Sequence, residues 1–262
     1  MTADYIVQLE DISKFFGSVI ALNGVTLRLR RGEVHCLLGD NGAGKSTLIK
    51  TLAGVHPPDR GEYLVDGRRM RFKSPREALD LGIATVYQDL ALVPLMSVAR
   101  NFVMGREPRR RLFGPFQVMD HAQAGRTAIE KLAEMGIRMR DASQVVGTMS
   151  GGERQCLAIA RAIYFGARVL ILDEPTAALG VRQSVNVLKL IHRARTKGIS
   201  VIFITHNVNH AYPVADTFTL LNRGKSLGTF AKRDVTKAQV LDMMAGGAEM
   251  QALMADLEGV TM

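Results

Sequence analysis

The most informative segment of the sequence is VHCLLGDNGAGKST, from Val34 to Thr47. An apolar run comes first and residues with helical spacing follow, so this segment predicts a buried strand, a loop and a helix. The loop fits the pattern G-x-x-x-x-G-K-[ST], in which bare backbone N–H groups surround a phosphate. Its expected ligand-binding residues are Gly39, Asp40, Asn41, Gly42, Ala43, Gly44, Lys45, Ser46 and Thr47.

A nucleoside triphosphate with Mg²⁺ is the ligand that this phosphate-binding loop favours. Lys45 is expected to reach the β- and γ-phosphate oxygens, and the Ser46 hydroxyl is expected to bind Mg²⁺. A second apolar run, RVLILDE, predicts another buried strand with two carboxylates at its end. Asp173 is expected to hold Mg²⁺ through its water shell, and Glu174 to orient and deprotonate an attacking water. These residues predict ATP hydrolysis.

Strand and helix patterns alternate along the chain, which predicts an α/β fold with a mostly parallel core sheet. Near the N-terminus, Val25, Leu27 and Leu29 alternate with polar residues, and Asp66-Gly67 favours a tight hairpin turn, so antiparallel strands are expected there. From about residue 90 to 165 the strand-like runs disappear and helical spacing takes over. We therefore expect a helical lobe inserted in the α/β domain.

A second glycine motif, MSGGERQ, begins at Met149. Ser150, Gly151 and Gly152 offer backbone N–H groups at a predicted helix N-terminus, which is a place for an anion. One nucleotide already receives its phosphate ligands from the first loop. If two copies of the chain meet head to tail, each second motif can cap the γ-phosphate held by the other copy. The sequence therefore predicts an ATP-dependent homodimer.

The composition sets loose limits on partners and location. The 262 residues are 47% hydrophobic and carry a net charge of +9, which fits a globular protein with acidic partners such as nucleotides, nucleic acid or an anionic leaflet. The densest basic run, Arg109–Arg111, is expected to be a solvated loop.

Cys36 and Cys156 lie far apart in apolar runs and are expected in the core. No apolar run is long enough to span a bilayer and the N-terminus does not resemble a secretory signal, which favours the cytoplasm.

The order of the motifs resembles that of ABC transporter nucleotide-binding subunits: the phosphate-binding loop, YQD, MSGGE, LILDEPT and ITH. The resemblance implies a P-loop NTPase of the ABC type, with an ATPase domain at 5–240 and a Met-rich C-terminal tail at 241–262. It also implies roles for three further residues. Phe16 would stack on adenine, Gln88 would sense Mg²⁺ or the attacking water, and His206 would contact the γ-phosphate.

A finer resemblance implies the transported substrate. FKSPREALDLGIATVYQDLALVP, SVARNF and GREP are similar to the ATPases of bacterial importers for ribose, xylose, galactose and fructose, and TAALG resembles the fructose-type members. This implies a separate membrane permease, an extracytoplasmic sugar-binding protein and a place on the cytoplasmic face of the inner membrane. Many such ATPases fuse two cassettes, whereas this chain has room for one. Gly180 stands where the family usually has an Asp that helps couple the two sites of the dimer.

Three alternatives are open at the level of sequence. A non-transport ABC ATPase acting on nucleic acid or ribosomes would agree with the positive net charge of the chain. Such proteins, however, usually carry two cassettes or a long coiled-coil insertion. An unrelated P-loop kinase or GTPase would leave MSGGE without a role, and the guanine-reading Asn-Lys-x-Asp motif is missing. An inactive binding module would not need Lys45, Asp173 and Glu174. The leading hypothesis is an importer ATPase with no nucleic-acid partner, coupled to its permease through about Leu90–Arg100.

Overall fold

The computed structural model describes residues 4–113 and 116–245 of the chain. In chain order the strands are β1 (Tyr5–Phe16), β2 (Val19–Arg30), β3 (Val34–Leu38), β4 (Arg60–Val65), β5 (Arg68–Met70), β6 (Ile83–Val86), β7 (Arg109–Phe113), β8 (Phe116–Met119), β9 (Val169–Asp173), β10 (Ser200–Thr205), β11 (Thr217–Asn222) and β12 (Lys225–Ala231). The α-helices are α1 (Lys45–Leu52), α2 (Pro75–Asp80), α3 (Val98–Val103), α4 (His121–Glu134), α5 (Gly151–Tyr164), α6 (Val181–Thr196), α7 (Val208–Val214) and α8 (Lys237–Met244).

The N-terminal strands form an antiparallel sheet in the order β2-β1-β4-β5. Val25, Leu27 and Leu29 point to one face of β2 and are all buried, as their period of two requires. Between β4 and β5, Asp66 and Gly67 both have positive φ, at 50° and 75°. Such a two-residue turn matches the twist of the strands that it joins. The predicted antiparallel strands are confirmed.

The core sheet has the order β12-β11-β3-β10-β9-β6 and is parallel except for the edge strand β12. Its two faces contribute to two separate hydrophobic clusters, so its central strands are buried on both sides. The carboxyl ends of the central strands are level, because Leu38 pairs with Thr205 and Asp173 pairs with Ile204. The loops that follow β3, β9 and β10 therefore open on one edge, where open α/β sheets bind ligands.

A helical lobe containing α3, α4 and α5 lies between β6 and β9 in the chain. Its helices agree with the sequence prediction, but the expectation of a lobe without strands is wrong. Strands β7 and β8 pair as an antiparallel hairpin between α3 and α4. Arg109–Arg111, expected in a loop, form part of β7 and are exposed. The hairpin has no buried face, so its sequence lacks the alternation that reveals a half-buried strand.

The remaining predictions concern the cysteines and the C-terminus. Cys36 and Cys156 are both buried and free, as expected. Burial raises the pKa of both thiols, that of Cys156 to about 11, so both are protonated and unreactive at neutral pH. Helix α8 includes the start of the predicted tail at 241–262, and residues 246–262 of that tail lie outside the described residues. None of the helices that the structure describes is long and apolar enough to cross a bilayer.

Candidate functional site

The loop between β3 and α1 is compact because of its glycines. Gly42 and Gly44 have φ of 82° and 101°, in the left-handed region that residues with a Cβ avoid. A Cβ on Gly44 would also lie 2.9 Å from the carbonyl oxygen of Ala21. At Gly39 a Cβ would lie 2.4 Å from the carbonyl oxygen of Leu221. The glycine spacing of the motif therefore lets the loop pack against β2 and the end of β11.

Lys45 is the first residue of α1, and its side chain is buried. Its Nζ donates hydrogen bonds to the carbonyl oxygens of Gly39 at 2.6 Å and Asp40 at 3.0 Å. The same Nζ lies 4.0 Å from Oε1 of Glu174. The ammonium thus connects the phosphate-binding loop to the end of β9, where the low local dielectric strengthens its attraction for a phosphate.

Two carboxylates follow one another at the end of β9. Burial raises the pKa of Asp173 above its ordinary value, the charge of Glu174 raises it further, and Lys45 opposes both effects. Glu174 has φ of 46°, which is uncommon for a residue with a side chain. Strained backbone of this kind is concentrated at functional sites, where the surrounding structure enforces it.

The last residue of β10 and the residue after it fix the orientation of the Glu174 carboxylate. Its Oε2 accepts a hydrogen bond from Oγ1 of Thr205 at 2.9 Å. Its Oε1 accepts one from the backbone N–H of His206 at 3.1 Å and lies 2.8 Å from Nδ1 of the same residue. The imidazole is 57% exposed and the carboxylate 13%. The Glu174 carboxylate is therefore mostly buried and held in a fixed orientation, with the more exposed imidazole of His206 bonded to it.

A cleft of about 530 Å³ brings the residues of the phosphate-binding loop together with those after β6 and β9. Its lining includes the expected residues Asp40, Asn41, Gly42, Gly44, Lys45, Ser46, Thr47, Gln88, Asp173 and Glu174. Gly39 and Ala43 are not part of this lining, since both are buried beneath the loop. Segments far apart in the sequence thus meet around one cleft with the shape and chemistry of a nucleotide site.

Other lining residues were missed by the sequence analysis: Val19, Ile20, Ala21, Arg223 and Gly224. The Arg223-Gly224 turn joins β11 to β12, and no sequence signal connected it to the phosphate-binding loop. In the structure the backbone N–H of Gly224 donates to the carbonyl oxygen of Ala43 at 2.9 Å. The β11–β12 hairpin therefore packs against the phosphate-binding loop.

The expected adenine-stacking residue lies beside the cleft and is not among the residues that line it. Phe16 ends β1 and is 44% exposed. Its ring packs edge-on against His56, with ring centroids 5.3 Å apart, and Lys14 Nζ lies 5.5 Å from its centroid. Two residues of turn separate it from Val19, which does line the cleft.

The second glycine motif lies in a different part of the molecule. Ser150 caps α5, and its side chain and backbone N–H both bond to the carboxylate of Glu153, so the predicted helix N-terminus is present. Ser150 and Gly152 line a separate cleft of about 370 Å³ between α4, α5 and α6. The structure of one chain does not bring this motif to the Lys45 cleft.

A phosphate-binding loop between a buried parallel strand and a helix, with two carboxylates at the end of another strand of the same sheet, defines a nucleotide-binding P-loop ATPase. The chain also matches the protein-family model described as ABC transporter over residues 22–177. The chain belongs to the ABC transporter family, and as a cassette of that family it binds nucleotide and is an ATPase.

Curated relatives support the same assignment. The chain is 41% identical over 244 residues to the xylose/arabinose import ATP-binding protein XylG of Sulfolobus acidocaldarius, which covers 93% of this chain and 95% of the relative. It is 41% identical over 252 residues to the fructose import ATP-binding protein FrcA of Rhizobium meliloti, covering 95% and 97%. A putative ribose/galactose/methyl galactoside import ATP-binding protein of Burkholderia lata is also 41% identical, but the match covers only 45% of that longer relative.

Solved structures agree on the fold. The ADP-bound conformation of an ABC transporter cassette superimposes with a TM-score of 0.78 at 22% identity, covering 92% of this chain and 95% of that one. A dimeric cassette in a post-hydrolysis state, bound to ADP and Pi, gives a TM-score of 0.72 at 25% identity and covers 87% and 100%. The predicted fold, an α/β P-loop NTPase of the ABC type, is confirmed.

Proposed function

We propose that this protein is the ATP-hydrolysing subunit of an importer for a monosaccharide such as fructose, ribose or xylose. The observation that carries the proposal is the Lys45–Glu174–His206 arrangement, in which a buried ammonium and an oriented carboxylate face the same cleft. The relatives that match almost end to end are import ATP-binding proteins for xylose/arabinose and fructose. Together these support ATP hydrolysis that drives sugar uptake.

The lining of the cleft fits a Mg²⁺–ATP complex. The Ser46 hydroxyl, the Asp173 carboxylate and the Gln88 amide supply oxygen ligands of the type that Mg²⁺ prefers. Among the described residues there is no cluster of three or more His, Cys, Asp or Glu side chains able to hold a metal alone. This suits Mg²⁺, which commonly takes one or two protein ligands and completes its shell with waters and phosphates. Bound there, Mg²⁺ would neutralise charge on the phosphates.

Each residue at the carboxyl edge of the sheet would have a different role in ATP hydrolysis. Lys45 would exchange the carbonyl oxygens of its own loop for phosphate oxygens. The Glu174 carboxylate would take a proton from water as the water oxygen bonds to the γ-phosphorus and the bond to ADP breaks. His206, hydrogen-bonded to Glu174, would contact the departing phosphate. Phe16 would supply an exposed ring for adenine at the rim.

The separate position of Ser150 supports a homodimer. One chain presents its phosphate-binding loop and its Ser150 motif on different clefts, so both can act on one nucleotide only if two copies contribute. Gly151 and Gly152 lie at the N-terminus of α5, where backbone N–H groups favour an anion. The dimeric, ADP- and Pi-bound cassette with a similar fold is consistent with this arrangement. ATP would then hold the two subunits together until it is hydrolysed.

The remaining partners follow from transport. An import ATPase acts through a membrane permease, so we place this protein peripherally on the cytoplasmic face of the inner membrane, with residues 90–100 facing the permease. Leu95 in that segment is 90% exposed, which fits a side chain covered by a partner. An extracytoplasmic sugar-binding protein would deliver the substrate to the permease from the other side.

Glu174→Gln and Lys45→Ala test the proposed chemistry on the purified protein. Glu174→Gln should retain MgATP binding but lower the hydrolysis rate by about 10²–10⁴-fold, since general-base help is lost. It should also form a stable dimer with MgATP, measurable as a doubled mass in solution. Lys45→Ala should weaken nucleotide binding itself. Glu130→Gln, at a side chain that is 66% exposed on α4, is the matched control and should behave as wild type.

Two results would contradict the proposal. Full hydrolysis in Glu174→Gln would remove the assigned base. A monomeric mass with bound MgATP would remove the shared site. Uptake of single sugars by a strain lacking this protein identifies the substrate, and uptake unchanged for every monosaccharide would exclude sugar import.

A further inference from the structure

The hairpin formed by β7 and β8 has exposed apolar side chains that ATP hydrolysis does not explain. Leu112, Phe113, Phe116 and Val118 are 56%, 66%, 59% and 37% exposed. The rings of Phe113 and Phe116 lie 5.1 Å apart, and these residues pair across the far end of the hairpin. Large exposed apolar side chains that cluster together are typical of an interaction surface.

Three consecutive arginines lie on the same hairpin. Arg109, Arg110 and Arg111 are all exposed. Within the part of the chain that the structure describes, none of them forms a salt bridge. Because successive side chains of a strand alternate in direction, the positive charge is presented on both faces of β7. The hairpin therefore combines exposed guanidinium groups with exposed aromatic rings.

The base of the hairpin is fixed to the helical lobe. The backbone N–H of Asp120 donates to the carbonyl oxygen of Pro108 at 2.8 Å. Beside it, the Arg106 guanidinium lies 5.1 Å from the centroid of the Phe165 ring and donates to the carbonyl oxygen of that residue. An isolated two-stranded hairpin is only marginally stable, so this anchored base, together with aromatic side chains that no other described residue covers, fits a surface completed by a partner.

The hairpin also lies close in sequence to the segment proposed to face the permease. Residues 90–100 include the start of α3, a six-residue helix about 9 Å long, so only the end of that helix and a short connection separate them from β7. A cassette that docks through that segment would carry the hairpin near the membrane.

We propose that the β7–β8 hairpin binds the anionic lipid surface directly, beside the permease. Guanidinium groups match lipid phosphates in charge and geometry, and aromatic rings favour the boundary between headgroups and acyl chains. One weak apolar contact rarely anchors a protein, but apolar insertion combined with a basic patch does. The location rests on the proposed function, whereas the lipid contact itself depends only on the chemistry of the hairpin.

Flotation of the purified full-length protein with lipid vesicles tests this contact. Vesicles containing phosphatidylglycerol and phosphatidylcholine should carry the protein upward, whereas vesicles of phosphatidylcholine alone should not. Each basic side chain near an anionic leaflet strengthens binding about fivefold, so R109Q/R110Q/R111Q should lower the partition coefficient roughly 100-fold. F113S/F116S should also weaken binding, and its residual binding should be lost steeply with added salt because only the electrostatic part remains.

The matched control uses the other basic hairpin. Arg68, Arg69 and Arg71 are exposed at the β4–β5 hairpin, so R68Q/R69Q/R71Q removes the same net charge from a different surface. R68Q/R69Q/R71Q should change the partition coefficient by less than threefold. This limit is smaller than the fivefold contribution expected from a single cation in contact with the membrane. Equal losses in the two triple variants would show general charge attraction and overturn the proposal.

The ATPase rate separates this proposal from the proposed function. All hairpin variants should hydrolyse ATP at the wild-type rate and keep the wild-type melting temperature, which shows that they are folded. Wild-type protein that ignores anionic vesicles but loses its permease on R109Q/R110Q/R111Q substitution would assign the hairpin to a protein contact instead. Glu174→Gln should lose hydrolysis but float with anionic vesicles as the wild type does. This result would show that lipid binding by the hairpin does not depend on ATP hydrolysis.

Discussion

Gly44→Ala tests the packing of the phosphate-binding loop most directly. Gly44 has φ of 101°, and an added Cβ would lie 2.9 Å from the carbonyl oxygen of Ala21, 3.1 Å from a methyl of Leu22 and 3.3 Å from Cα of Gly224. Two of these three neighbours are backbone atoms, which cannot move away by a change of rotamer. The substitution therefore adds steric overlap to backbone strain.

The neighbouring Gly42 separates these two effects. It has φ of 82°, but nothing lies within 4 Å of a Cβ built on it. Gly42→Ala should therefore lower the free energy of unfolding by the left-handed strain alone, about 1–2 kcal/mol. Gly44→Ala should add an overpacking penalty of about 1–3 kcal/mol, for a total of roughly 2–5 kcal/mol.

Urea denaturation of the nucleotide-free protein, followed by circular dichroism, measures the difference. Without nucleotide, the comparison is free of any effect on phosphate binding. The midpoint should fall further for Gly44→Ala than for Gly42→Ala at a similar slope. Equal shifts, or a larger shift for Gly42→Ala, would refute the claim that β2 and the Arg223-Gly224 turn constrain the loop.

Three further predictions follow from single contacts of the site and its support. In the folded protein, burial and the charge of Glu174 raise the pKa of Asp173 above 3.8. The stabilisation that comes from this shift is present below pH 3.8 and is lost as the pH rises through the folded-state pKa of Asp173. Asp173→Asn should therefore raise the melting temperature of the nucleotide-free protein at pH 7 but not at pH 3, while MgATP binding falls. Thr205→Val removes a 2.9 Å hydrogen bond to Glu174 and should lower kcat roughly 10- to 100-fold with little change in nucleotide affinity, as measured by phosphate release. Tyr63→Phe leaves the carbonyl oxygen of Leu52 without its 2.9 Å donor and should lower the free energy of unfolding by about 1–3 kcal/mol in urea titrations.

Much of the fold could be predicted from the sequence because its signals are local. The apolar runs before Gly39 and Glu174 predict buried strands, and the structure confirms both. The Asp66-Gly67 turn was also predicted correctly, with β4 and β5 on either side. In each case the period of the side chains, or a residue that tolerates positive φ, determines the local structure without distant contacts.

The β7–β8 hairpin could not be predicted in the same way. Its arginines and aromatic residues are exposed on both faces, so no alternation distinguishes the strands from a solvated loop. Strand pairing here comes from backbone hydrogen bonds, which every residue except proline can make. Alternation of apolar and polar residues in a strand reflects the burial of one face. A hairpin without a buried face therefore lacks this alternation.

Short contiguous motifs identify the phosphate-binding loop and the two carboxylates of β9, and the alternation of strand and helix patterns along the chain is enough to predict the parallel core sheet. Only the tertiary structure decided how these motifs meet. It placed Thr205 and His206 on Glu174, added Ala21 and Gly224 to the cleft, and left Ser150 on a separate one. The physical reason is that these contacts join residues distant in sequence, and their geometry is set by strand order and register, which no local pattern contains.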